Sequence, residues 1–161
     1  LQVLAIVSLK VFITMAKLHA MCGLSGVIHS YDLTQASVHD INYLRDVNLE
    51  YHDCSIFGDR GYISKEIQLD LFETANIKQE CPYRLNQKNW KPQFIPFAKA
   101  RKIIETIFSQ LADQFMLIRN YAKETEGLFA RIIGKISVFI ILQYINKINN
   151  NPIGRVKYAL S

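Results

Sequence analysis

The chain has 161 residues, half of them apolar and a fifth charged, which excludes a disordered polypeptide and suffices for one domain with its own core. Its formal charge of +5 is unevenly placed: residues 1–83 hold 6 Lys/Arg and 10 Asp/Glu, a net of −4, and residues 84–161 hold 13 and 4, a net of +9. A basic half fits a polyanion partner and equally a solvated surface, while the odd, widely spaced Cys22, Cys54 and Cys81 exclude a disulfide framework and point to buried thiols in a reducing cytoplasm.

Leu1 to Ala16 is apolar but broken by Lys10. Its runs fall short of the ~20 residues a membrane span needs, and no basic segment precedes them as in a signal peptide. Lys17–Cys22 and Val27–Leu33 are β-prone, and Gly23-Leu24-Ser25-Gly26 between them reads as the turn of a hairpin. Ser37 to Asp40 has the form of a capping box, followed by Val38, Ile41, Leu44 and Val47 at helical spacing, so a helix is predicted to about Asn48. Cys54–Phe57 is a short buried strand that stops at Gly58 and leaves Asp59 at its carboxyl end. Ser64 caps a second helix with Ile67, Leu71 and Ala75 on one face, and Gln79–Tyr83 reads as a further strand.

Arg84 to Pro96 is a basic, proline-broken loop. Lys99 to Arg119 is predicted as a helix striped by Ile104, Phe108, Leu111, Phe115 and Ile118. A last helix runs from about Gly127 to Asn146. Its greasiest part, Ile136 to Asn146, lies between Lys135 and Lys147 and is too short to span a membrane. Asn149 to Pro152 ends it, and residues 147–161 read as a tail. The order β-β-α-β-α-β-α-α gives an α/β domain with a mixed sheet flanked by helices.

Two acids stand out. Asp59 leaves a buried strand into Gly58-Asp59-Arg60-Gly61-Tyr62, and ligands of α/β folds sit outside the carboxyl ends of strands. The bland reading is an ordinary Asp-Gly turn. Glu105 neighbours the stripe between Ile104 and Phe108 and is expected to be half-buried, so it needs a partner or a metal. Its bland reading is a surface pair with Arg101 one turn earlier. A carboxylate from a strand end and one from a helix suit Mg²⁺ or Mn²⁺, the ions of in-line phosphoryl transfer. In the basic loop, Arg84, Lys88 and Lys91 suit DNA phosphates, and Trp90 suits either base stacking or core packing. His19, His29, His39 and His52 have no zinc spacing and read as structural.

The blocks KLHAMCGLSGVIHSYDLTQASVHD, IFGDRGYIS and RKIIETIFSQL resemble, in order and spacing, three consecutive blocks of bacterial insertion-sequence DDE transposases. The resemblance runs from Lys17 to about Leu160. It implies an RNase H-like fold, a DDE triad holding two Mg²⁺ or Mn²⁺ ions, DNA partners at the insertion-sequence ends and target, a possible homo-oligomer, a cytoplasmic location and no membrane. By resemblance Asp59 is the second triad acid and Glu105 the third, and both would be catalytic and metal-binding. Arg101 matches an arginine four residues before that glutamate, and with Lys102 and the loop cations it is a DNA-binding candidate. The chain departs from the family at Ala98, where a tyrosine is frequent, and at Ala112, where a lysine is frequent.

The largest departure is upstream. The first triad aspartate belongs on a strand before KLHA, and residues 1–16 contain no acid. Codon degeneracy allows Val11 to Ala16, reread two bases on, to encode an aromatic run ending in glycine, as the family tends to place there. Residues 1–16 are therefore expected to be a non-native or frameshifted lead-in, residues 17–146 a partial DDE domain incomplete at its N-terminus, and residues 147–161 a tail. Three functions follow: a transposase piece for DNA cleavage and strand transfer, an inactive remnant that binds DNA or intact transposase, and an unrelated metal-dependent nuclease.

Overall fold

The computed structural model describes residues 2–10, 16–82, 95–119 and 121–160. Five strands form one sheet in the order β3-β2-β1-β4-β5. They are β1 (Gln2–Lys10), β2 (Ala16–Gly23), β3 (Ile28–Gln35), β4 (Cys54–Phe57) and β5 (Lys78–Glu80). The first three pair antiparallel, and β1-β4 and β4-β5 pair parallel. The hairpin and the strand before Asp59 stand where their sequence patterns predict them; the later strand, expected over Gln79–Tyr83, is Lys78–Glu80, with Cys81 and Pro82 already outside it and Tyr83 beyond the described residues.

Gln2–Lys10, within the stretch read from sequence as a lead-in, is the central strand. β1 runs against β2 from Leu4↔Gly23 to Lys10↔Lys17 and along β4 from Gln2↔Cys54 to Ala5↔Phe57. The element order is thus β-β-β-α-β-α-β-α-α, one strand more than the pattern reading.

Every residue of β2 is buried, and alternate side chains feed two cores. Ala16, Leu18, Ala20 and Cys22 join Phe57 under the helices α3 (Ile95–Asp113) and α4 (Thr125–Ile148). Met21 joins Cys54, Ile56, Leu44, Val47 and Tyr62 under α2 (Lys65–Ala75) on the other face. The sheet is the middle of three layers. Ser64 caps α2 as expected, its hydroxyl accepting from Ile67 N–H.

Four local readings are corrected. The segment after β3 is a 3-10 helix, Asp40–Asp46, followed by the single-turn α1 (Val47–Glu50). Its N-cap is His39 rather than Ser37, because the Asp40 carboxylate is drawn off to Lys17 at 2.7 Å. Helix α3 begins at Ile95, since Pro96 is tolerated in a first turn. It ends at Asp113, where Met116 takes a left-handed φ of 48° and Leu117 N–H turns back to Leu111 O. Helix α4 is 24 residues long and apolar enough to cross a membrane by length and composition, so the shorter span read from sequence understated it.

The segment read as a tail packs as structure. Val156–Leu160 forms a 3-10 helix with Val156 fully buried. The side-chain amide of Gln110 on α3 donates to Gly154 O at 2.8 Å, and its oxygen accepts from Val156 N–H at 3.0 Å. Asn146 donates to Arg155 O. Gly26, with φ of 86°, lets the β2–β3 turn meet this segment: a Cβ there would stand 3.1 Å from Gly154 Cα.

Candidate active site

Asp59 stands just beyond β4. Gly58 N–H extends the parallel pairing by donating to Glu80 O at 3.0 Å. Asp59 then caps the 3-10 turn Arg60–Tyr62, its carboxylate accepting from Gly61 N–H at 2.8 Å. The carboxylate is exposed, and the turn beneath it is pinned by Tyr62, which is wholly buried. The Tyr62 hydroxyl lies 2.8 Å from His19 Nδ1, and His19 Nε2 lies 2.8 Å from the Thr34 hydroxyl. The Gln79 amide donates to Tyr62 O at 2.8 Å, and His19 stacks on Tyr43 at 5.1 Å. Burial lowers the His19 pKa, partly opposed by Asp40.

A second carboxylate reaches the same place. A Cβ on Gly61 would stand 2.8 Å from Asp40 Oδ2 and 3.1 Å from Asp59 Oδ1, so both acids crowd one point that only glycine leaves free. Asp40 is already balanced by Lys17, whose ammonium also donates to Val38 O. Reading Asp40 as a helix cap missed this. The available signals were a lysine inside a largely apolar strand and a glycine two residues after Asp59.

Glu105 is exposed, which corrects its expected half-burial. Ile104, Ile107 and Phe108 take the buried face of α3, and Glu105 pairs with Arg101 Nε at 2.8 Å, the two side chains 62% and 61% exposed. The course of α3 sets its position. Phe97 meets Phe57 beside the Asp59 end of the sheet, with ring centroids 5.8 Å apart. Ile103 and Ile107 approach Gly26, and the β2–β3 turn lies at the opposite end, where Gly23 pairs with Leu4 and Cys54 with Gln2. The helix therefore runs away from Asp59, and Glu105 lies roughly 12 Å along the axis from Phe97 at 1.5 Å per residue. The carboxylate found beside that of Asp59, around Gly61, is Asp40.

These residues do not fit a two-metal centre. Among the described residues no group of three or more His, Cys, Asp and Glu gathers as a metal site. β1, reading QVLAIVSLK, carries no acid, and paired ions need carboxylates from more than one side. Of the DNA-binding candidates, Arg101 and Lys102 are exposed on α3, and Arg84, Lys88 and Lys91, with Trp90, lie outside the described residues. His29, His39 and His52 are exposed, in contrast to His19.

A model of the transposase DDE domain matches residues 10–141. No curated protein matches the chain. Among solved structures, a chain of the simian T-cell lymphotropic virus intasome in complex with PP2A regulatory subunit B56 gamma is similar at 16% identity and a TM-score of 0.47, over 81% of this chain and 46% of that one. This chain thus spans less than half of that chain's length, and a likeness so loose carries no argument. The family match does: it takes in the antiparallel hairpin, the Asp59 turn and α3, and the chain belongs to the transposase DDE domain family.

Proposed function

We propose that this chain is a DNA transposase domain of RNase H-like fold whose own set of acids cannot support DNA cleavage. The family supports transposition and DNA recombination as its field of action. The sheet, antiparallel across β3-β2-β1 and parallel across β1-β4-β5, supports the RNase H-like reading. The observation that carries the proposal is the central strand: β1 fills its place in the sheet with no acid in it.

In the intact family, Mg²⁺ or Mn²⁺ would supply electrostatic stabilisation of the transferring phosphoryl group, a contribution of several kcal/mol. Asp59 is the residue here that suits the second acid, presented at a strand end by a pinned turn. Glu105 keeps its candidacy as the third acid by motif alone. Free, largely buried thiols suit a cytoplasmic setting. DNA at insertion-sequence ends and target sites is the proposed partner, met by the basic half through Arg84, Lys88, Lys91, Arg101 and Lys102.

The test is nicking of supercoiled DNA in Mn²⁺ by the full chain, beside an Asp59→Ala, Glu105→Ala double variant. Neither should cut. Nicking by the first that disappears in the second overturns the proposed inactivity.

A further inference from the structure

Helix α4 has two apolar faces. Leu128, Ile132, Ile136, Phe139 and Leu142 are buried in the core. On the opposite side Ile133, Val138, Ile141, Tyr144 and Ile148 are exposed by 44%, 48%, 56%, 63% and 61%. Between Lys135 and Lys147 no charged residue interrupts this outer face. Its centre line, Gly134, Ser137, Ile141, Tyr144 and Ile148, is spaced 3-4-3-4 along the chain, the spacing by which one helix seats against another. The line is graded, with small residues at its N-terminal end and large ones at its C-terminal end. Gly134 has nothing within 4 Å of where a Cβ would stand, so no contact among the described residues accounts for a mid-helix glycine that disfavours the helix.

We propose that this face pairs two copies of the chain through antiparallel α4 helices about a two-fold axis near Ile141. In that arrangement Gly134 and Ser137 of one copy lie opposite Ile148 and Tyr144 of the other, so each small end receives a large one. Such self-complementarity is what a two-fold interface demands, and a lipid surface would draw nothing from the notch at Gly134. The five exposed side chains present on the order of 500 Å² per copy, so a pair buries about 1,000 Å², the threshold of a specific interface before its rim is counted.

Sedimentation of the full chain tests this at micromolar concentrations. The chain should be a dimer. Gly134→Leu fills the notch in open space without a clash inside its own copy and should weaken association tenfold or more. Ile141→Glu should give monomers with an unchanged helical circular dichroism signal. Leu69→Glu, on the exposed face of α2, should leave the dimer intact. A monomeric chain, a dimer indifferent to Gly134→Leu and Ile141→Glu, or a monomer that floats with phosphatidylcholine–phosphatidylglycerol vesicles overturns the proposal. None of these readouts involves DNA, so the pairing stands or falls separately from the transposase reading.

Discussion

Lys17 lies on a strand whose eight residues are all buried, and its ammonium is met by Asp40 and the Val38 carbonyl. Removing either charge leaves the other desolvated and uncompensated, which costs several kcal/mol in a full interior and less here, where the side chains are 9% and 21% exposed. Lys17→Met and Asp40→Asn should each lower the unfolding free energy by ~2 kcal/mol, and the double variant should lose clearly less than the sum of the two. Urea denaturation of the four proteins reads this directly, and simple additivity would show that the pair is not coupled. His19, above the same turn, sets a pH dependence. Burial, its largest influence, lowers its pKa from 6.5 in the fold, with Asp40, Asp32 and Asp59 opposing and Lys17 assisting. The unfolded chain therefore takes up a proton near pH 6.5 that the folded chain refuses until lower pH. This contribution to stability is complete above about 6.5 and declines as the pH falls below it. The urea midpoint should drop from pH 7.5 to roughly pH 5, and His19→Gln should flatten that component.

At the level of elements, the C-terminal segment depends on one side chain. Gln110 serves both Gly154 O and Val156 N–H. Gln110→Leu keeps the volume and strands the buried Val156 N–H and the part-buried Gly154 O, so stability should fall by about 2 kcal/mol. Amide exchange should rise at Val156 ahead of the rest of the chain, and unchanged protection there would mean that α4 alone holds the segment. The sequence makes some elements plain and hides others for physical reasons. The hairpin, β4 and α2 announce themselves through turn glycines, a bounded apolar run and the Ser64 cap, all of which are local. β1 does not, because a strand in a sheet covered on both faces reads as an unbroken apolar run without period. Asp40 beside Asp59 was illegible because its partner Lys17 lies 23 residues away, and a short-range capping pattern offered a competing explanation. Glu105 was misjudged because one residue's shift around a helix separates the buried face of Ile104 from solvent.

On the scale of the whole molecule, the two halves of the chain differ in sign, and the basic half holds a net +9. Duplex DNA should bind weakly and with little sequence preference, and log affinity should fall against log salt with a slope of about −0.9 for each phosphate neutralised. A titration between low and physiological salt checks this, and a flat response would remove phosphate contacts as the source of binding. The long closure at the β2–β3 turn bears on how the protein is made. Gly26 O accepts from the Gln143 amide across 117 positions of sequence, and Gly154 closes over the same turn. A ribosome adding 5–20 residues per second needs on the order of ten seconds to travel that distance. Throughout that interval the nascent sheet offers the Leu18, Ala20, Cys22 and Ile28 face, which α3 and α4 later cover, to whatever waits at the exit tunnel. Slow codons before residue 143 would lengthen that exposure, so yield in the cell should depend on translation speed as much as on the stability of the finished fold.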